Sequence, residues 1–77
     1  MAKGWIISVT YFRDGVELHQ AYDVAIADSE VAVSAVKRLV APISNARVTL
    51  QEELFGATYF GLGLRPGDVR PRMPRRR

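Results

Sequence analysis

Trp5-Ile6-Ile7-Ser8-Val9-Thr10-Tyr11-Phe12-Arg13-Asp14-Gly15-Val16-Glu17-Leu18-His19-Gln20-Ala21-Tyr22-Asp23-Val24 has the composition of two strands joined by a tight turn. Its first arm, up to Phe12, is rich in β-branched and aromatic residues, and Asp14-Gly15 is suited to a two-residue type I′ turn, whose central positions both need φ > 0. The turn fixes a register. Arg13 pairs with Val16, Tyr11 with Leu18, Val9 with Gln20, Ile7 with Tyr22 and Trp5 with Val24 on one face. Phe12 pairs with Glu17, Thr10 with His19, Ser8 with Ala21 and Ile6 with Asp23 on the other. A slip of one residue would set Trp5 against Asp23 and Tyr11 against Glu17, so side-chain pattern and turn chemistry select the same pairing. The first face is the oilier and is the predicted core face. Gln20 is the one position on it where residue and pattern disagree.

Downstream of the hairpin, Asp28-Ser29 offers a side-chain oxygen to the free amides of a first helical turn, and Glu30 suits the positive end of the helix dipole. The apolar spacing predicts a helix over about Ser29 to Ala41 with a stripe of Ala32, Ala35, Val36, Leu39 and Val40, and Val33 at its margin. Lys37 and Arg38 complement the negative end, and Pro42 stops the helix. A third apolar alternation follows, Ala46, Val48 and Leu50 against Arg47, Thr49 and Gln51. A helical crossover joins parallel strands and is right-handed, so the third strand is expected beside the first. The expected fold is therefore α+β, β-β-α-β, with a three-stranded sheet in order 2-1-3 and one helix packed on one face. Glu17, His19, Asp23, Arg47 and Glu52 fall on its outer strands, where charge discourages further pairing.

Past Leu50 the pattern allows a short helix or a loop as far as Phe60. Leu54, Phe55, Tyr59, Phe60, Leu62 and Leu64 still need cover, and one helix covers only one face of a sheet. They are expected to close the remaining sheet surface or to meet an adjoining protomer. Arg65-Pro66-Gly67-Asp68 is a turn with proline and glycine at its central positions. The reading takes residues 1–64 as one small domain and residues 65–77 as an arginine- and proline-rich flexible tail, expected to be disordered.

Composition narrows the functional classes. A chain of 77 residues buries only ~60% of its unfolded surface. With no cysteine and a single histidine, the support left for a thin core is association, and a homodimer or larger homo-oligomer is expected. No stretch has the length of a signal peptide or membrane span, so a cytoplasmic protein with no membrane insertion is expected. Residues 1–64 carry five Lys or Arg against seven Asp or Glu, whereas residues 65–77 carry six Arg against Asp68 alone. The basic character sits in the tail.

That tail supplies one functional lead. Arg70, Arg72, Arg75, Arg76 and Arg77 could each neutralise a phosphate, which makes a nucleic-acid accessory role, or binding to an acidic protein, the alternative reading. The leading one is a non-enzymatic binding or protein-interaction module that self-associates, with Phe12, Phe55, Tyr59 and Phe60 as candidate contacts. Trp5, Tyr11 and Tyr22 belong to the core face and are not a base-stacking platform. His19 has no second histidine or cysteine with which to hold a metal, and only Thr10 opposite it. Glu52 and Glu53, adjacent on a strand, diverge instead of converging on a scissile bond. Gly61-Leu62-Gly63-Leu64-Arg65-Pro66-Gly67 has one residue too many for a dinucleotide fingerprint and no helix after it. No catalytic residue and no cofactor are assigned.

Overall fold

The computed structural model describes residues 4–43, 45–54 and 63–72. Two long strands, β1 (Gly4–Arg13) and β2 (Val16–Val24), form the hairpin. Helix α1 (Ser29–Leu39), strand β3 (Arg47–Leu54) and a short β4 (Val69–Pro71) follow. The nine β1–β2 pairs run from Arg13 with Val16 to Trp5 with Val24, the register expected from the turn. Asp14 and Gly15 have φ of 53° and 77°. Aspartate tolerates that region because its short side chain bonds locally, and glycine has no Cβ to clash.

The sheet is antiparallel and four-stranded, in order β3-β1-β2-β4, which corrects the expectation of three strands. β1 does lie between β2 and β3, but β2 is not an outer strand along its whole length. Tyr22, Asp23 and Val24 pair with Pro71, Arg70 and Val69, inside the stretch expected to be a flexible, disordered tail. The connection is anchored on both sides of its turn. The Ala25 amide donates to the Asp68 carbonyl at 2.7 Å, the Gly67 amide to the Ala25 carbonyl at 2.8 Å, and the Arg72 amide to the Ala21 carbonyl at 2.7 Å. Arg72 therefore turns its backbone toward β2 and Pro71, its neighbour, turns outward. A proline fits there because the donor it lacks would have faced away from the sheet.

α1 rests on β1 and β3. Asp28 caps it, its Oδ1 accepting from the Glu30 and Val31 amides at 2.9 and 3.2 Å. The core on this face is Ile7, Val9 and Val24 beneath Ala32, Val36 and Val40, ringed by Trp5, Tyr11, Tyr22, Val33, Ile43 and Val69 among others. Leu39, expected in the stripe, is 53% exposed. The buried line runs through Ala32, Val36 and Val40 with Val33 beside it, which turns Leu39 off the sheet. The helix also stops at Leu39 and not at Ala41, with Val40 as its C-cap. The residue before a proline avoids helical backbone, and Pro42 places that restriction on Ala41.

A second cluster of Ile6, Ala25, Leu54 and Leu64 lies on the opposite face, with Ala21 against it. A bulge in β3 builds it. Ile7 faces Leu50 but Ile6 faces Glu52, so Gln51 is an extra residue. Beyond it the side-chain alternation reverses, and Leu54, opposite Gly4, drops onto the face away from α1. Gln51 to Leu54 are thus strand, not a helical turn, and Leu54 and Leu64 cover sheet surface as expected. Phe55, Tyr59, Phe60 and Leu62 lie outside the described residues.

Candidate interaction surface

The face away from α1 is covered at the Gly4 end by Leu54 and Leu64, and among the described residues nothing covers its hairpin end. Thr10 and His19 lie directly opposite one another there. Thr10 Oγ1 is 3.2 Å from His19 Nδ1, and His19 Nε2 is 2.8 Å from Glu17 Oε2. The Glu17 contact was not anticipated, although residues two apart on a strand share a face and the spacing carried the signal. The His19 and Glu17 side chains are 61% and 52% exposed. Water competes for every bond in this chain. It is a cross-strand polar ladder. Among the described residues no group of three or more His, Asp and Glu could hold a metal ion.

Phe12, a candidate contact, is 52% exposed on this face. Asn45 completes its backbone pairing: the Phe12 amide donates to Asn45 Oδ1 at 2.8 Å and Asn45 Nδ2 donates to the Phe12 carbonyl at 3.3 Å. The asparagine side chain thus occupies the place of one more β3 residue.

The basic residues divide. Arg72 grips Asp23 with two nitrogens, Nη2 at 2.9 Å from Oδ1 and Nε at 3.0 Å from the same oxygen and 3.3 Å from Oδ2. Asp23, expected on an outer strand, is only 4% exposed. β4 covers it, and its charge is matched from the C-terminal segment. Gln20, the misfit of the core face, donates through Nε2 to the carbonyls of Ala21 at 2.8 Å and Arg72 at 3.0 Å. It holds the same segment from the other side of the sheet. Arg70 donates to Asp68 Oδ2 at 3.1 Å and to the Gly63 carbonyl at 3.4 Å. Arg75, Arg76 and Arg77 lie outside the described residues.

The outer edge of β3, expected from the sequence only as a charged outer strand, is a second candidate surface. Among the described residues β3 pairs with β1 alone. Because Phe12 turns its amide and carbonyl toward β3, Thr10 and Ser8 do the same, and Arg47 and Thr49 opposite them bond back. Val48 and Leu50 therefore turn their backbone groups outward. Leu50 is 40% exposed. It forms one wall of a groove of about 340 Å³, whose remaining lining comes from Ser29, Glu30, Val33, Ser34 and Lys37 of α1. Hydroxyls, one carboxylate, one ammonium and two apolar side chains thus border a strand edge. Such a groove can seat a side chain from an added strand while its backbone pairs with Val48 and Leu50. Searches of known protein families, curated proteins and solved structures give no match to this chain. Among the described residues no helix is long and apolar enough to cross a membrane.

Proposed function

We propose that this protein is a small non-enzymatic interaction module that self-associates, and that the outer edge of β3 is its contact surface. One observation carries the reading: among the described residues no strand pairs with the outer edge of β3, where Val48 and Leu50 turn their backbone groups outward beside the α1 groove and the Leu50 side chain is exposed. Edge strands are commonly blunted by proline, and β4 has Pro71 on its outer side. β3 has no proline, and its outward backbone groups, without a strand partner among the described residues, adjoin apolar side chains. A core this small also gains from burial against a partner, since the chain has no cysteine and, among the described residues, no cluster of His, Asp and Glu that could hold a metal.

Light scattering on the purified chain across micromolar concentrations tests the reading. The expected result is a mass of at least twice 8.6 kDa, falling toward the single-chain value on dilution. A monomer at every concentration would overturn it.

A further inference from the structure

We propose that the partner at the β3 edge is a second copy of the same chain, joined β3 to β3, antiparallel, about a two-fold axis through Thr49; this rests on the self-association reading above. Backbone groups that point outward must meet others that point outward. Centring the axis on Thr49 satisfies this: Val48 of each copy lies opposite Leu50 of the other, and the two threonines face one another. Val48 and Leu50 are on the α1 face, since their partners Val9 and Ile7 are core residues there. Four apolar side chains therefore converge between the two helices.

The bulge makes the next pair fit. Along β1 the step after Leu50 skips Gln51, so that Ile6 faces Glu52. The same skip on the outer edge brings Arg47 of the second copy opposite Glu52. Both residues lie on the face away from α1, because Thr10 and Ile6, which they oppose, lie there. Two symmetry-related ion pairs result. In an uninterrupted strand Arg47 would meet Gln51 instead, and Glu52 would point to the other face.

The helices repeat the complementarity. Glu30, Val33, Ser34 and Lys37 line the flank of α1 next to β3. A two-fold axis reverses the second helix; where it passes midway between Val33 and Ser34, Glu30 of one copy faces Lys37 of the other and Val33 faces Ser34. Among the described residues Arg47, Glu52, Glu30 and Lys37 make no ion pair within their own chain. The contact is isologous and therefore closes on itself. Pro71 on each outer rim lacks a donor and discourages further pairing along β4.

Charge exchange on the full chain tests the register. Arg47→Glu sets two carboxylates against two, and Glu52→Arg sets two guanidinium groups against two. Each variant alone should raise the dimer dissociation constant at least about tenfold, since two attractive cross-strand pairs become repulsive. Mixed in equal amounts, the two variants should form a heterodimer of near wild-type strength, identified by native mass spectrometry, because both cross-strand pairs are then attractive again. Both sites are exposed, and an unchanged hairpin amide spectrum checks that the variants fold. Single variants that associate as tightly as wild type would overturn this interface while leaving self-association standing at another surface. Single variants that dissociate without forming a heterodimer would overturn the register. A wild-type monomer at all concentrations would remove both this inference and the reading on which it rests.

Discussion

Replacing Arg72 with alanine should destabilise the fold by about 3 kcal/mol, because the Asp23 carboxylate is then left buried without its counter-ion. Asp23 is 4% exposed and Arg72 meets both of its oxygens. The guanidinium itself is partly open to water, its side chain 39% exposed, which puts the loss at the lower end of that expected for breaking a buried pair. Against a total of about 4–12 kcal/mol for a chain of 77 residues, this is a large fraction. The melting temperature should fall by roughly 12–24 °C. Replacing both partners by leucine should recover much of the loss, since no charge then remains buried. Urea unfolding of the two variants checks this. An Arg72→Ala variant within about 1 kcal/mol of wild type would mean that Asp23 finds water or another partner and that β4 does not depend on the pair.

Gly4→Ala is expected to be nearly as damaging, for a steric reason. Gly4 is buried at the start of β1, and a Cβ there would overlap the Val24 carbonyl oxygen and lie 3.2 Å from its carbon and 3.3 Å from Ala25 Cα. All three are backbone atoms, so no side chain can rotate away. β1 would have to separate from the end of β2, where Trp5 pairs with Val24 and where the chain turns toward both α1 and β4. Forcing extra volume into a packed site costs about 1–3 kcal/mol, and the upper end applies where backbone must move. Thermal unfolding would read the loss, and amide exchange should accelerate first at Trp5 and Val24. Wild-type stability in Gly4→Ala would contradict the close approach of the two strands.

The hairpin was legible in the sequence because one short-range signal, Asp14-Gly15, fixed nine pairs, and every pair but that of Val9 with Gln20 agreed with its face. Asp28 and Pro42 bracketed the helix for similarly local reasons. What escaped depends on contacts distant in sequence. Val69-Arg70-Pro71 is too short and too polar to present an alternation, and its proline argues against a strand unless its outward position is known. Its place beside β2 follows from the bonds of Gly67, Asp68 and Arg72 to Ala25 and Ala21. Without that strand, Asp23 read as an ordinary outer charge and Arg72 as a free tail residue. The bulge at Gln51 was equally hidden: Leu50 and Leu54 are four apart and would share a face in a regular strand, yet they occupy opposite faces. Gln20 did announce itself as a polar residue on an apolar face, but one of the two carbonyls that satisfy it lies 52 residues away.

For the candidate surface, the sequence marked Phe12 correctly as lying off the core face but gave no weight to Val48 and Leu50. Their side chains read as half-buried core. The exposed quantity is their outward backbone, which only the strand order reveals. Glu30 and Lys37 likewise read as a solvated helix flank, and their alignment with the β3 edge appears only once α1 is seen to rest on β1 and β3.

Amide hydrogen exchange at Val48 and Leu50 tests the central proposal most directly. Both amides face away from β1, so in an isolated chain they should exchange quickly while those of Arg47 and Thr49, turned inward, exchange slowly. As concentration rises through the range of self-association, the Val48 and Leu50 amides should become protected together with the increase in mass. Rapid exchange at both positions under conditions where the chain is associated would contradict the account, placing the contact elsewhere on the molecule.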